Sequence, residues 1–441
     1  MGSLRRVFVF GLTLVLGGGM AVGLGPASAA AATGGASGGG SYLAGQLTGG
    51  DHLVNSYGAD YGLSADLAIA LAAAGDQDAA LARTTGYLRA HVADYADPAG
   101  TTQYPGPYSG AVAKLALLAE ITGQDPSSFG GFDLLHVLST DVCTAPDSSG
   151  YLCTAAGDFY QAYSTVSQAL GVLALARAGV TVPAPAVTRL ESLQCGDGGF
   201  SSALITSGTT CTSDVDTTSY AAQALEVAGG AATAVTAARD YLLSAQQPDG
   251  GFLGASGENS NSTGLAAQAL LATASATTSA RTTIAPAAIT DPVAAATSFL
   301  LARQQGNGGF AINASTPGAD VRSTTQAVPA LAGTTLAALS DPVTPITPTS
   351  PPSSHPAPST TAPSSSAAAT APAASSTNVP PKSSETPAAG IEALAATGAA
   401  PWSPLLSGLL LGLLGVLVLI AARRRPALIH ERAGRRSKRR H

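Results

Sequence analysis

Residues 246–252 read Gln-Gln-Pro-Asp-Gly-Gly-Phe, and the last three residues of this string recur twice in the same setting. The three copies end at Phe200, Phe252 and Phe310, and each follows a glutamine at the end of a helical pattern. The phenylalanines are 52 and 58 residues apart. Repetition at about this period indicates an array of similar units, because one unit cannot bury its apolar face alone.

Each unit is predicted to contain two helices joined by a glycine-rich loop. In the last copy, Asp291 caps the first helix, and Val293, Ala296 and Leu300 fall on one of its faces. The second helix, around residues 323–328, is small and apolar over most of its surface, as expected for a helix buried on both sides. The total is five or six helix pairs, and six are enough to close a ring. Further copies lie at residues 187–227 and 235–273, with weaker ones at 61–75, 104–123 and 151–179.

The order Gln, Asp-Gly-Gly-Phe, Asp-x-Asp-Thr-Thr and Ala-Leu resembles the repeats of the terpenoid cyclase and protein prenyltransferase family. In that family, six inner helices line a barrel and six outer helices surround it. The resemblance implies an all-α fold, an (α/α)6 toroid, over residues 41–340. Secreted cobalamin carriers share this ring architecture, so the fold alone does not imply a cyclase. The matching stretches are residues 194–225, 246–270 and 304–331.

Residues 214–218 read Asp-Val-Asp-Thr-Thr, which is similar to the acidic motif of cyclases that begin by protonating an isoprenoid. The resemblance implies that Asp216 is the catalytic acid and that Asp214 supports it. Two buried carboxylates suit this role, because like charge and loss of water raise the pKa of one of them. Thr217 stands where the family has a third aspartate.

The later repeats favour a simpler interpretation of this motif. Residues 259–263 read Asn-Ser-Asn-Ser-Thr and residues 320–324 read Asp-Val-Arg-Ser-Thr in the same place. Such side chains accept hydrogen bonds from the free N–H groups at a helix start. We therefore predict that residues 214–218 are the most acidic version of a recurring cap. Cyclases also stabilise cations with aromatic faces, and the only tryptophan, Trp402, lies outside the ring.

Protein prenyltransferases bind zinc through Asp, Cys and His, and this sequence has no matching set. His52, His91 and His136 are scattered along the chain, and no Cys-x-x-Cys spacing occurs. We predict neither a metal site nor a cofactor.

The first 29 residues have the pattern of an export signal. Arg5 and Arg6 precede an apolar run over residues 7–24, and Ala27-Ser28-Ala29 forms a small-residue cleavage site. We expect the general secretory route, although Arg5 and Arg6 also resemble part of a twin-arginine signal.

The four cysteines then lie in an oxidising compartment, where disulfides are the default. Four cysteines allow three connectivities. We favour Cys143–Cys153 and Cys195–Cys211, because each pair brackets a Gly/Ser-rich loop at a matching place in successive repeats.

The C-terminal end has the three parts of a membrane-associated anchor. Residues 405–422 form an uncharged run of 18, close to the length that spans a bilayer. The basic tail, residues 423–441, is expected to be cytoplasmic, which places everything before the span outside the cell. Just upstream lies a pentapeptide of Leu394, Ala395, Ala396, Thr397 and Gly398.

This order resembles the cell-wall sorting signal of Gram-positive surface proteins, in the Ala-bearing variant seen in actinobacteria. In that family, a sortase cysteine attacks the Thr carbonyl, here Thr397, and expels the part that begins at Gly398. The acyl group then passes to a cell-wall amine. The resemblance implies sortase and peptidoglycan as partners, and a single-pass membrane precursor that ends as a cell-surface protein. The alternative is a plain single-pass anchor.

Residues 341–393 are mostly Pro, Ser, Thr and Ala and cannot bury a core. We predict a stalk that reaches on the order of 160 Å as an extended chain. Once the signal and the tail are set aside, ten basic and 26 acidic residues remain, a net charge of about −16. Such a surface disfavours nucleic acid and anionic glycans as partners.

Two classes of function remain. We expect a non-enzymatic binding or scaffold module on the cell surface, whose ring binds a small ligand, a glycan or a protein. The alternative is an extracellular enzyme of toroid fold, either with cyclase-like acid catalysis at Asp216 or acting on polysaccharides. An enzyme should bring ionisable groups together at the ends of the inner helices, whereas a binding module needs mostly Ser, Thr, Asn and Tyr there.

Overall fold

The computed structural model of the protein describes residues 34–97, 106–150, 152–255, 257–274 and 291–343. Over these ranges the chain forms thirteen α-helices and eight short strands. The helices are α1 (Gly35–Ala44), α2 (Tyr61–Ala74), α3 (Asp78–Ala90), α4 (Val92–Ala96), α5 (Ser109–Ile121), α6 (Leu134–Thr140), α7 (Thr165–Arg177), α8 (Ala184–Ser192), α9 (Val215–Ala228), α10 (Ala232–Ala245), α11 (Ser260–Ala272), α12 (Pro292–Leu301) and α13 (Val321–Leu331). The strands are β1 (Val54–Asn55), β2 (Gly58–Ala59), β3 (Phe200–Ser201), β4 (Ser213–Asp214), β5 (Phe252–Gly254), β6 (Gly257–Asn259), β7 (Phe310–Asn313) and β8 (Thr316–Asp320).

Several predicted segments lie outside the described residues: the signal peptide, nearly all of the stalk, the sorting motif, the membrane span and the basic tail. Each helix that the structure describes is too short or too polar to cross a membrane. The first helix begins at Gly35, six residues before the start that the sequence suggested for the ring.

Six helices form a closed inner ring. Each of α2, α5, α7, α9, α11 and α13 contacts the next, and α13 contacts α2. Six helices lie outside this ring, each against two neighbouring inner helices: α1, α3, α6, α8, α10 and α12. The short α4 packs beside α5. The predicted (α/α)6 toroid is therefore confirmed, with six helix pairs.

The inner helices are buried on all sides, as their small apolar residues predict. In α11, every residue from Ser260 to Leu270 is buried. The ring can close this tightly because some helix positions carry no side chain. At Gly264 a Cβ atom would collide with the backbone carbonyl of Gln326 in α13, so only glycine allows this approach.

The connections into four of the inner helices are antiparallel β-hairpins, where the sequence indicated only glycine-rich loops. In the last three, the phenylalanine of Gly-Gly-Phe pairs with the residue that caps the next helix: Phe200 with Asp214, Phe252 with Asn259, and Phe310 with Asp320. These strands have only two to five residues and lie in polar, Gly-rich sequence. They are too short to show the alternation of apolar and polar residues that predicts a strand.

A repeated glutamine at the end of an outer helix is hydrogen-bonded to the outer helix of the following unit. Gln194 donates to the Ala234 carbonyl at 2.8 Å, and Gln246 donates to the Pro292 carbonyl at 2.8 Å. In the last unit, Gln304 donates to the carbonyl of Gly35, the first residue of α1, at 2.8 Å. The same contact that links consecutive units thus closes the ring.

Both predicted disulfides are present, Cys143–Cys153 and Cys195–Cys211. They enclose loops with sequence separations of 10 and 16 residues, and each loop leads into an inner helix. No free cysteine occurs among the residues described.

The segment after α13, residues 334–343, lies across the C-terminal ends of the inner helices, and we call it the strap. Arg177 of α7 donates to the carbonyls of Leu336 at 2.7 Å and Leu339 at 2.8 Å. Ile121 of α5 accepts from the Asp341 N–H at 2.7 Å. Because Leu336 and Leu339 are buried, the strap covers this end of the ring.

Candidate functional site

The inner helices are in register, so equivalent residues meet in layers. The sixth residues of α2 and α5, Asp66 and Lys114, form an ion pair, and the second residues of α9 and α11, Asp216 and Asn261, share a hydrogen bond. The helices therefore run in the same direction, and their N-terminal ends lie at the same end of the ring. The mouth layer consists of the second residues: Gly62, Gly110, Val166, Asp216, Asn261 and Arg322. The middle layer consists of the sixth residues: Asp66, Lys114, Leu170, Tyr220, Leu265 and Gln326.

The mouth layer is polar on one side, where α9, α11 and α13 meet. Asp216 is 1% exposed, and its Oδ2 accepts a hydrogen bond of 3.2 Å from Asn261 Nδ2. Asn261 is 4% exposed, and its Oδ1 has no hydrogen-bond partner within the described part of the chain. A buried amide oxygen without a partner costs about 1–3 kcal/mol. The site therefore offers a buried acceptor to a donor that reaches the mouth.

The middle layer contains a buried ion pair. Lys114 Nζ lies 2.7 Å from Asp66 Oδ1, and the two side chains are 9% and 12% exposed. Lys114 is the only lysine between residues 34 and 343. The two opposite charges cancel each other's field. Removal of either side chain would leave a single buried charge, which is strongly destabilising.

Tyr220 connects the two layers electrostatically. Burial raises the pKa of its hydroxyl far above the usual value, and the carboxylates of Asp66 and Asp216 raise that pKa further, against an opposing effect of Arg322. Tyr220 thus stays a neutral phenol, able to donate a proton in a hydrogen bond. The charges of Asp66, Asp216 and Arg322 therefore all act on this one hydroxyl.

A small cavity lies below the middle layer. It is lined by middle-layer and ninth-position residues, by Thr325 of α13 and by Leu336 of the strap. The space that a water centre can occupy is about 20 Å³, which is room for one or two waters. An isoprenoid chain does not fit in this volume. The lining residues are Asp66, Ile69, Tyr220, Leu265, Gln268, Thr325, Gln326, Pro329 and Leu336.

The cap interpretation of the Asp-Val-Asp-Thr-Thr motif is confirmed for Asp214. Its Oδ1 accepts from the Thr217 N–H at 2.8 Å, as Asn259 and Asp320 accept from the third residue of α11 and α13 at 2.8 and 2.7 Å. Asp216 occupies the position of Asn261 and Arg322 in the other repeats, in the mouth layer. The structure thus separates the two aspartates: one caps a helix and the other faces the ring centre.

Sequence reasoning missed three polar residues of the middle layer. Asp66, Lys114 and Tyr220 had no motif around them, yet each lies five residues after the first residue of an inner helix. Counting from the caps would have found them. Sequence reasoning also missed a contact between histidines that are far apart in the sequence. His52 and His91 lie on the two sides of Tyr87, with ring centroids 4.2 and 4.3 Å from the centroid of Tyr87. No group of three or more potential metal ligands occurs among the described residues.

Comparison with known proteins gives a likeness in structure alone. No family model and no curated protein matches the sequence. Among solved structures, a protein from Actinoplanes matches 68% of this chain and 97% of its own, at 15% identity and a TM-score of 0.46. The unsaturated glucuronyl hydrolase of Bacillus sp. GL1 matches 67% of this chain and 94% of its own, at 14% identity and a TM-score of 0.46. For protein geranylgeranyltransferase-I of Candida albicans, the coverage is 62% and 84%, at 12% identity and a TM-score of 0.42.

Proposed function

We propose that this protein is an extracellular binding module, displayed on the cell surface, whose ring takes a small polar ligand at the mouth layer. One observation carries the proposal: Asn261 presents a buried, unused acceptor oxygen beside the buried carboxylate of Asp216. Both groups accept hydrogen bonds, so the ligand is expected to bring donors such as hydroxyl or ammonium groups. Arg322, in the same layer, supplies the donor for one acceptor atom of that ligand.

Several features favour binding over cyclase chemistry. Lys114 occupies one oxygen of Asp66, so this carboxylate is engaged in an ion pair. Asp214 is engaged in capping α9, which removes the supporting carboxylate that the cyclase resemblance requires. The cavity of about 20 Å³ below the middle layer is too small for an isoprenoid. The mouth layer offers a few fixed polar groups, which suits recognition.

Surface display is proposed on the sequence. The Leu-Ala-Ala-Thr-Gly motif at residues 394–398, the apolar run and the basic tail have the order of a sorting signal. The two disulfides are typical of an exported protein. The test is the C-terminus of protein released from cell walls by a muramidase. We expect it to end at Thr397 and to be linked to wall peptide, and a Thr397→Ala variant to stay in the membrane fraction. Wild-type protein found only in detergent extracts, with Gly398 onward intact, would indicate a plain membrane anchor.

The binding role is tested on protein purified from its own host. Native mass spectrometry of the wild type should show a retained mass that is lost in Asn261→Ala. Asn313→Ala, in the β7–β8 hairpin and outside the mouth layer, is the matched control and should keep it. If neither protein retains a mass, and host extract does not raise the unfolding temperature of the wild type, the mouth binds no small ligand.

One observation supports an enzyme as the second candidate. Asp66 and Asp216 lie in the two adjacent layers of the ring, and both raise the pKa of Tyr220. Paired carboxylates are the usual groups for polysaccharide hydrolysis. The test is the release of reducing ends from wall polysaccharide by the wild type and by Asp216→Asn. Activity in the wild type that disappears in Asp216→Asn would favour the enzyme over the binding module.

A further inference from the structure

A cluster of aromatic rings lies beside the first inner helix, outside the ring centre. It consists of His52, Tyr61, Tyr87, His91 and Tyr95, and we call it the aromatic cluster. His52 stacks on Tyr87 with centroids 4.2 Å apart and planes 6° apart, and His91 lies 4.3 Å from Tyr87. Tyr61 lies 5.9–6.2 Å from Tyr87, His91 and Tyr95. The rings therefore form one continuous group.

Unlike the core phenylalanines, these rings are partly exposed. The side chains of His52 and His91 are 19% and 36% exposed, whereas Phe200 is 0% exposed. Tyr57, at the tip of the neighbouring β1–β2 hairpin, is 83% exposed. Aromatic rings grouped at a surface are typical of a recognition site, because each ring offers a large contact area at low entropic cost.

Hydrogen-bond acceptors surround the cluster. Asp51 contacts His52 Nδ1 at 2.6 Å, and Asp94 contacts His91 Nδ1 at 2.7 Å. These carboxylates are 37% and 59% exposed, so each can accept a further hydrogen bond from a ligand. The aromatic cluster therefore combines apolar ring faces with carboxylates at its edge.

Tyr95 is the member of the aromatic cluster that lies beside the mouth layer. Its hydroxyl is buried and has no hydrogen-bond partner within the described ranges. It lies next to Gly62 of the mouth layer, where an added Cβ would be 3.3 Å from the hydroxyl oxygen. Burial raises the pKa of Tyr95, and Asp66 and Asp60 raise it further, so the group stays a neutral donor.

We infer that the aromatic cluster binds an uncharged hexose of a glycan chain. A pyranose ring has one face of C–H groups, which stacks on an aromatic face, and an edge of hydroxyl groups, which donate to carboxylates. Both parts are matched here, by the rings and by Asp51 and Asp94. An anionic sugar is disfavoured, because its carboxylate or sulfate would face these two aspartates and the net negative charge of the exported chain. The inference does not depend on a ligand at the mouth layer.

The experiment is saturation-transfer NMR on the full chain in a sugar-free detergent. The probes are maltohexaose, cellohexaose and mannohexaose, with hexagalacturonic acid as the anionic control. We expect at least one neutral hexamer to receive saturation on the C–H protons of one sugar face, and the anionic hexamer to receive none. Tyr87→Leu removes the central ring but keeps an apolar side chain, and it should weaken binding about tenfold or more.

Controls separate a direct role from loss of folding. Tyr241→Leu removes a half-buried tyrosine of α10 in another unit and should bind as the wild type does. His91→Leu removes a more exposed ring, so it is measured beside Tyr87→Leu in case the latter does not fold. Asn261→Ala should leave glycan binding unchanged, which distinguishes this site from the mouth layer. The inference is overturned if no neutral hexamer binds, or if a folded Tyr87→Leu or His91→Leu protein binds as tightly as the wild type.

Discussion

Gln304 and Gly35 are 269 residues apart in the chain, yet two hydrogen bonds join them. The Gly35 N–H donates to Gln304 Oε1 at 2.7 Å, and Gln304 Nε2 donates to the Gly35 carbonyl at 2.8 Å. Gln194 and Gln246 instead reach the outer helix of the next unit along the chain, 40 and 46 residues further on. Of these three glutamine contacts, only that of Gln304 joins the two ends of the ring.

Replacement of this glutamine tests how the ring is closed. Gln304→Ala removes both bonds and should lower the free energy of unfolding by about 1–3 kcal/mol. It should also increase hydrogen exchange in α1, because that helix is held against the last unit. Gln194→Ala is the matched control: it should destabilise similarly but leave exchange in α1 unchanged. Equal protection of α1 in both variants would mean that other contacts close the ring.

Gly308 should tolerate no side chain, because two constraints act on it. Its φ is +89°, and a Cβ there would collide with the Gly38 carbonyl of α1. Gly308→Ala is expected to lower the free energy of unfolding by about 2–4 kcal/mol. Gly306→Ala, in the same loop but with open space around it, should change it by less than about 0.5 kcal/mol. Urea unfolding measures both, and equal midpoints would contradict the proposed close approach.

The repeats made the fold predictable, because a period of helix pairs is visible in one sequence and six pairs are enough to close a ring. The recurring Asp, Asn and Ser residues also identified the caps, since capping depends on local chemistry. The site was predicted less well. Asp66 and Lys114 are 48 residues apart, and nothing local shows that they meet. His52 and His91 meet on Tyr87 for the same reason: tertiary packing, which no local pattern records, places them there.

The buried ion pair gives a prediction with an internal control. Lys114→Met leaves the Asp66 carboxylate without its partner and should lower the free energy of unfolding by about 3–5 kcal/mol. Asp66→Leu alone should cost a similar amount. The double variant Asp66→Leu, Lys114→Met removes both charges and should recover most of the loss, because an apolar pair of similar volume needs no desolvation of charge. Chemical unfolding of the four proteins completes the cycle. Additive losses in the double variant would show that the two charges do not interact.

Glu120 should make stability depend on pH near neutrality. It lies beside Arg177, which holds the strap, and burial raises the pKa of Glu120 to about 7, against the lowering effect of Arg177. In the unfolded chain its pKa is near the ordinary 4.5, so between these values the folded state binds more protons. The stabilisation is therefore complete below pH 4.5 and is lost as the pH rises through about 7.

Glu120→Gln removes this titration while it keeps a neutral side chain of the same size. The wild type should therefore lose stability relative to the variant between pH 5 and pH 8. The expected loss in its free energy of unfolding is up to about 3 kcal/mol. Glu191→Gln, on the outer helix α8, is the control and should give no such shift. Because Arg177 links Glu120 to Leu336 and Leu339, protection of the strap from hydrogen exchange, measured relative to the intrinsic exchange rate at each pH, should also fall from pH 5 to pH 8 in the wild type. A difference that stays constant with pH would mean that Glu120 is charged throughout this range, and that the Arg177 pair outweighs the effect of burial.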